Sequence, residues 1–236
     1  MQPYTLLMLK AIIFDFDGVV VDSEPVHYKA FMELGKDFGV SFDYEHYLRH
    51  YVGYDDRDAI RAMLIEGGLP ADEARIKELR DQKQVVFEKL VLQGAAAIPG
   101  AVELIDEAHD QIPIAIASGA TTLDIHLMLD SIQRRDRFEI IVSADHVTRS
   151  KPDPTTYRKA YEQLADKHPE HNLTPDECLA IEDTAAGIES ARGAGLLTLG
   201  IATTGPASLL SKAHRAEAGL EGVTLETLRQ WFGDMS

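Results

Sequence analysis

The stretch Phe14-Asp-Phe-Asp-Gly-Val-Val-Val-Asp-Ser23 decides the fold of this chain, because it sets two carboxylates directly after a short apolar run. That run, Ala11–Phe14, has the character of a buried strand. Residues two apart in an extended chain face the same side, so Asp15 and Asp17 are predicted to face one pocket. Asp and Gly are also common in turns, which explains one of these acids easily but two flanked by phenylalanines less well.

Four further apolar runs follow, with helical stretches between them. They are Ile112–Ala117, Phe138–Val142, Cys178–Ile181 and Leu197–Ile201. Apolar strands that alternate with helices indicate a parallel sheet covered on both faces. In open α/β sheets, ligands bind at the carboxyl ends of the strands. The predicted fold class is therefore α/β, a Rossmann-like parallel sheet core with an inserted helical segment.

The segment between the first two strands is different, because it contains several helical patterns and no convincing strand. Its apolar stripes predict helices that begin near Ser23, Tyr44, Asp56 and Ala71. Ser23 is the predicted N-cap of the first of these helices, which Gly39 ends. We expect two domains, an α/β catalytic core of residues 1–22 and 97–236 and a helical cap of residues 23–96.

The composition excludes some classes of partner. The chain has 39 Asp plus Glu and 23 Lys plus Arg, a net charge of −16, which repels the phosphate backbone of nucleic acids. The only cysteine, Cys178, cannot form a disulfide within the chain and is predicted to be a buried strand residue. The apolar segment Leu6–Leu9 is too short for a signal peptide or a membrane span. We expect a soluble, cytoplasmic monomer without a nucleic-acid or membrane partner.

Two more acids follow the fourth strand of the main unit, in Ile181-Glu-Asp-Thr184. They are predicted to reach the same edge of the sheet as Asp15 and Asp17, where four carboxylates would repel one another strongly without a cation. Mg²⁺ favours carboxylates, waters and the phosphate oxygens of a substrate. The sequence therefore predicts Mg²⁺ together with a phosphorylated substrate.

Anion-binding groups follow the second and third strands. Ser118 and Gly119 offer a hydroxyl and backbone N–H groups ahead of a helix. Lys151 stands in a loop whose backbone is restricted by Pro152 and Pro154. Taken singly, an ordinary turn and a solvated loop lysine explain these residues at least as well.

In chain order, the Phe14–Ser23 stretch, Ser118, Lys151 before proline and Glu182-Asp183 resemble the four motifs of the haloacid dehalogenase superfamily. The resemblance covers nearly the whole chain, and the helical insertion resembles the cap of its β-phosphoglucomutase-like phosphatases. It implies the haloacid dehalogenase fold and a Mg²⁺-dependent phosphoric monoester hydrolase. The implied substrate is a small phosphorylated metabolite, with a sugar phosphate as the default.

The resemblance also implies a role for each core residue. Asp15 would attack phosphorus to form an aspartyl-phosphate, and Asp17 would protonate the leaving oxygen and later activate water. Ser118 and Lys151, with the backbone at Gly119, would bind the transferring phosphoryl group.

The metal ligands are implied in the same way. Mg²⁺ would be held by the Asp15 carboxylate, the main-chain carbonyl of Asp17 and Asp183, with help from Glu182 directly or through water.

Two residues of the predicted cap are candidates for substrate binding. His27 lies where related enzymes often carry a histidine near the hinge, and a surface or packing histidine is an equal alternative. The segment Gly53-Tyr-Asp-Asp-Arg57 resembles the cap loop that reads substrates in related enzymes, with Arg57 available to a second anionic group. Helix capping by its aspartates and a solvated arginine is the alternative.

Other functions remain open. A β-phosphoglucomutase would return the phosphoryl group to a sugar, but its relatives carry Ser and Asn where this chain has Ala120 and Thr122. Asp17 argues against both a dehalogenase and a phosphonate hydrolase. A non-catalytic phosphate-binding or regulatory protein is the alternative outside the enzymes. His168 and His171 are interpreted as solvated, because the sequence indicates no third metal ligand near them.

Overall fold

The structure is a computed structural model that describes residues 8–51, 54 and 56–235. It divides into two compact units, one of Met1–Asp22 with Ala96–Ser236 and the other of Ser23–Ala95. The predicted domains, 1–22 with 97–236 and 23–96, stay a prediction.

The first unit is built on a parallel sheet. Among the described residues its strands are β1 (Ala11–Phe14), β2 (Val21–Asp22), β3 (Ala96–Ala97), β4 (Ile114–Ala117), β5 (Ile140–Val142), β6 (Cys178–Glu182), β7 (Leu197–Ile201) and β8 (Arg215–Glu217). Six of them form one sheet in the order β5-β4-β1-β6-β7-β8, with every neighbouring pair parallel. β2 and β3 form a separate antiparallel ladder of two residues each.

Helices alternate with the strands of the first unit and make up the second. The second unit contains α1 (Glu24–Gly35), α2 (Tyr44–His50), α3 (Asp56–Glu66) and α4 (Glu73–Val91). The first unit contains α5 (Ala101–His109), α6 (Thr122–Ser131), α7 (Thr155–Lys167), α8 (Ala185–Gly193) and α9 (Leu225–Asp234). Across the part of the chain that the structure covers, none of these helices has the length and apolar character that a membrane span requires.

The sheet order explains where the motifs meet. β1 is fully buried and lies between β4 and β6, with Phe14 in register with both Ile116 and Ile181. The residues that directly follow these three strands therefore emerge side by side at the carboxyl edge of the sheet. The α/β fold class and the five apolar strands predicted from the sequence are confirmed, and Cys178 is buried in β6.

Three local predictions need correction. Ser23 precedes α1, but its own backbone is helical and its side chain makes no capping hydrogen bond. α1 ends at Gly35 and not at Gly39, which closes a following 3₁₀ turn with a φ of +71°. The segment predicted to lack strands ends in β3. In addition, β8 was not predicted, because its sequence Arg-Ala-Glu has no apolar pattern.

Candidate active site

Asp15 occupies the centre of the carboxyl edge, directly after β1. Its backbone N–H continues the sheet pairing by donating to the Ile181 carbonyl at 2.9 Å, which fixes the residue beside the end of β6. The residue is 7% exposed, so its carboxylate has little access to water. Glu182 is the last residue of β6, Asp183 directly follows it, and both are buried.

These three carboxylates lie together. Asp15, Glu182 and Asp183 each offer an oxygen within 4.8 Å of the others. Burial, together with the Glu182 charge, raises the pKa of Asp15 well above its ordinary value, and Lys151 only partly offsets this. Burial and the Glu182 charge likewise raise the pKa of Asp183 to about 8. The cluster holds more negative charge than its own lysine balances.

Lys151 connects two of the acids. Its Nζ lies 2.7 Å from Oδ1 of Asp15 and 2.6 Å from Oε1 of Glu182, and 4.9 Å from the centre of the Tyr157 ring. Burial alone would lower the pKa of Lys151, but the two carboxylates outweigh it and raise that pKa above its ordinary value. The lysine, whose side chain is 12% exposed, is therefore a fixed and largely enclosed cation and not the solvated loop residue of the alternative interpretation.

Glu182 is an anchor for its neighbours. It is fully buried, and its Oε1 accepts hydrogen bonds from Lys151 and from the Tyr157 hydroxyl at 3.0 Å. Its Oε2 accepts from the backbone of Asp183 and Thr184 and from the Thr184 hydroxyl. Burial would raise the pKa of Glu182, but Lys151 and the Thr184 donors hold it below its ordinary value. This carboxylate stays charged and fixes the lysine.

The oxygens of Asp183 suit a hard cation. Its Oδ1 is buried and has no hydrogen-bond partner among residues 8–51, 54 and 56–235. An ionised oxygen buried in this way is costly unless a positive charge faces it. Three carboxylates whose oxygens lie within 4.8 Å of one another supply the kind of oxygen donor that Mg²⁺ prefers. The residues present therefore fit a Mg²⁺ ion.

Asp17 and Gly18 lie in the turn that leaves β1. Asp17 is half-buried, and its charge adds to the burial and the Glu182 charge that raise the pKa of Asp183. Gly18 has a φ of +73°, and a Cβ there would lie 2.2 Å from Oδ2 of Asp183. Only glycine lets the chain pass so close to that carboxylate.

Ser118 follows β4 on the other side of Asp15. It is buried, its N–H donates to the Val142 carbonyl, and its Oγ accepts from the Ala120 N–H at 3.0 Å. Gly119 is exposed, with open space around it.

A cavity of about 170 Å³ is lined by Ser118, Gly119 and Lys151 together with Thr148, Ser150 and Thr156. A small anion beside this cavity would meet hydroxyls and one ammonium.

The order of these motifs matches a known family along most of the chain. Residues 12–201 match the sequence profile of the haloacid dehalogenase-like hydrolase family. The match extends from β1 to the end of β7 and includes all the residues of the carboxylate cluster. This chain is a haloacid dehalogenase-like hydrolase.

Relatives within this hydrolase family include both phosphatases and mutases. The chain is 27% identical to the phosphorylated carbohydrates phosphatase of Thermotoga maritima over 193 residues, 80% of this chain and 82% of that protein. It is 28% identical to the β-phosphoglucomutase of Bacillus subtilis over 198 residues, 82% of this chain and 83% of that protein. A crystal structure of CbbY from Rhodobacter sphaeroides with xylulose 1,5-bisphosphate superposes with a TM-score of 0.76 at 26% identity, covering 94% of this chain and 99% of that one.

The two cap candidates belong to the second unit of this hydrolase. Nδ1 of His27 lies 2.8 Å from Nζ of Lys83, and the His27 ring stacks on Phe87. Lys83 is 1% exposed and also pairs with Asp56 at 2.6 Å. Burial, together with the Lys83 charge, lowers the pKa of His27 well below its ordinary value. His27 is thus a neutral, half-buried histidine with a fixed partner, and its contact with substrate stays a prediction.

Arg57 lies near the start of α3. Its guanidinium donates from Nε and from Nη2 to Oε2 of Glu73, at 3.1 and 2.8 Å, and both side chains are exposed. Gly53 and Asp55 of the predicted substrate loop lie outside the described residues. The role of Arg57 toward a second anionic group stays a prediction.

Sequence reasoning missed two buried contributors. Tyr157 on α7 and Lys83 on α4 each support a charged group, yet in the sequence they look like one more residue of a helical pattern. Polarity at an otherwise apolar helix position is the signal that could have indicated them.

Proposed function

We infer that this protein is a Mg²⁺-dependent phosphatase that removes phosphate from a small phosphorylated metabolite, a sugar phosphate by default, through an aspartyl-phosphate. The observation that carries this proposal is the position of Asp15, a buried carboxylate that lies 2.7 Å from the largely enclosed Lys151 and next to two further acids. The similarity to a phosphorylated carbohydrates phosphatase and to a CbbY structure with a sugar bisphosphate supports the substrate class.

The proposed chemical steps give Asp15 and Asp17 the roles that the family resemblance implies. A carboxylate oxygen of Asp15 attacks phosphorus, and the bond from phosphorus to the substrate oxygen breaks. Protonated Asp17 donates its proton to that leaving oxygen, which departs as an alcohol. Asp17, now a carboxylate, takes a proton from water as the water attacks the phosphoryl group. The bond from phosphorus to Asp15 breaks, which releases inorganic phosphate and restores the free carboxylate.

Positive charge makes this attack possible, since a carboxylate and a phosphate repel each other. Lys151 holds a permanent charge beside the attacking oxygen, and Ser118 with the Gly119 backbone offers hydrogen bonds to the phosphoryl oxygens. Mg²⁺ would be held by the carboxylates of Asp15 and Asp183 and by the main-chain carbonyl of Asp17. The nearby Glu182 carboxylate would add negative charge to this site. When bound, this ion supplies further positive charge to the phosphate oxygens.

Mutase activity is the second candidate, because β-phosphoglucomutase is among the relatives. The residues at positions 120 and 122 favour hydrolysis over phosphoryl transfer to a sugar. Position 120 is an alanine, and the Thr122 hydroxyl lies 2.7 Å from that of Ser143 while its N–H donates to Asp145. The groups that would receive a second phosphate are therefore missing or already paired. A monomeric state and a cytoplasmic location also stay predictions.

The test is release of inorganic phosphate from a panel of phosphorylated metabolites that includes β-glucose 1-phosphate, with wild type and Asp15→Asn. Glucose 6-phosphate is detected in parallel by a coupled assay. We expect phosphate release that requires both Mg²⁺ and Asp15. Glucose 6-phosphate without free phosphate would transfer the assignment to the mutase, and no turnover with any compound would favour the non-catalytic alternative.

A further inference from the structure

His168 directly follows α7 and precedes a short turn that His171 ends. The turn, Pro169–His171, is a 3₁₀ helix. The structure corrects the interpretation that these histidines lack a third ligand, because Glu170 lies between them. Its Oε1 is 3.3 Å from Nδ1 of His168 and 3.6 Å from Nε2 of His171. One ligand atom from each of the three residues lies within 4.8 Å of the others.

These spacings suit a tetrahedral ion. Zinc binds imidazole nitrogen and carboxylate oxygen at about 2.0–2.2 Å, so neighbouring ligand atoms around it stand about 3.3 Å apart. The two measured separations are close to that value. Two nitrogens and one oxygen leave a fourth position for water and favour Zn²⁺ and similar ions over Mg²⁺.

A second, independent observation concerns the other nitrogen of the His168 ring. Its Nε2 is buried and lies 3.4 Å from Oε2 of Glu139, without a hydrogen bond of good geometry in the described part of the chain. Glu139 is itself held by Lys167 at 2.7 Å. Metal-bound histidines usually direct their second nitrogen at a carboxylate, which fixes the tautomer and the ring orientation. Glu139 is placed for that function.

We propose that Nδ1 of His168, Nε2 of His171 and the Glu170 carboxylate bind a divalent transition-metal ion of the Zn²⁺ type. The site is separate from the carboxylate cluster. Lys10, which precedes β1, donates to the His171 carbonyl at 3.3 Å, so the turn lies by the amino end of the strand whose carboxyl end carries Asp15. An ion there clamps the turn after α7 and takes no part in the chemistry at Asp15.

The test counts bound Zn²⁺ by equilibrium dialysis of the full chain at pH 7.5, with excess Mg²⁺ in both compartments. We expect the His168→Ala/His171→Ala variant to bind one equivalent less than wild type. The control is His50→Ala, which removes an exposed histidine of α2 and should bind as wild type does. Equal binding by wild type and the His168→Ala/His171→Ala variant overturns the proposal, whatever other sites the chain holds.

Two single variants separate the ligands from their support. Glu139→Gln should weaken Zn²⁺ binding about 10-fold or more without lowering the number of ions bound at saturation, and Glu162→Gln, on the exposed side of α7, should leave the affinity unchanged. His171→Gln removes one ligand with little change in volume and keeps the test valid if the double variant folds poorly. Unchanged affinity in His171→Gln would contradict the proposal directly.

Discussion

Nζ of Lys151 lies 2.7 Å from Oδ1 of Asp15 and 2.6 Å from Oε1 of Glu182, so one cation pairs with two buried anions. The pairing is asymmetric in its surroundings. Glu182 receives five hydrogen bonds and is fully enclosed, whereas Asp15 keeps a limited exposure at the edge of the sheet. Glu182 therefore holds the lysine, and the lysine in turn orients Asp15 toward an incoming phosphate.

Replacement of the proposed nucleophile should abolish turnover without unfolding the protein. Asp15→Asn keeps the size of the side chain and removes one charge from a crowded acidic cluster, but an amide cannot form the covalent intermediate. We expect kcat for phosphate release to fall by about 10³-fold or more, with a melting temperature at or above that of wild type. Asp136→Asn, which removes a 77% exposed carboxylate, should keep wild-type activity. Asp15→Asn with more than a tenth of wild-type activity would show that the nucleophile is misassigned.

Mg²⁺ should stabilise the fold as well as support activity. The ion binds the folded cluster and not the unfolded chain, so at 100 times its Kd it adds about 2.7 kcal/mol to the free energy of unfolding. Removal of divalent ions with EDTA should therefore lower the melting temperature and abolish phosphate release, and Mg²⁺ should restore both.

Asp183→Asn identifies the ligand responsible. It removes the buried oxygen that has no hydrogen-bond partner in the described structure, so the shift in melting temperature with Mg²⁺ should be lost. An equal Mg²⁺ shift in Asp183→Asn and wild type would place the ion elsewhere.

The convergence of the acids was predictable, and the support around them was not. Parallel strands direct their carboxyl ends to one edge, so Asp15 and Asp183 could be brought together from their positions after apolar runs alone. That β1 is central, and that Lys151 lies between two acids, depends on long-range packing that no local pattern encodes. β8 was missed for the same reason, since its pairing with β7 and not its composition makes it a strand.

Gly187 should be essential to the geometry around Glu182. A Cβ at this position in the first turn of α8 would lie 1.7 Å from Oε1 of Glu182, which is a severe steric clash. Gly187→Ala should therefore displace Glu182 from Lys151, destabilise the protein by about 3 kcal/mol and lower kcat at least 10-fold. Urea unfolding and phosphate release measure the two effects.

Gly233 provides the matched control. It also lies in a helix, α9, but a Cβ there would meet nothing within 4 Å. Gly233→Ala should leave activity unchanged and raise stability by up to about 1 kcal/mol, because alanine is the better helix former. If Gly187→Ala behaved like Gly233→Ala, the tight packing of Glu182 would not be required for function.

His27 should make the second unit sensitive to acid. Lys83 has only donors to offer, so Nδ1 of His27 must accept and the ring must be the neutral Nε2–H tautomer. Burial and the Lys83 charge hold the pKa of His27 well below its ordinary value of 6.5. Because the folded pKa is depressed, the unfolded state binds more protons below about pH 6.5, and stability present above that pH is lost as the pH falls.

The size of this effect can be predicted. Between pH 7.5 and pH 5, protonation of an unfolded histidine with a pKa of about 6.5 lowers the free energy of unfolding by about 2 kcal/mol. In His27→Asn the amide oxygen can accept from Lys83 but does not titrate, so this part of the pH dependence should disappear. Urea unfolding followed by circular dichroism measures it, and His50→Asn, an exposed position of the same unit, controls for the loss of a histidine. Equal pH dependence in wild type and His27→Asn would mean that His27 is already charged in the folded protein, in which case Lys83 must have moved away from its ring.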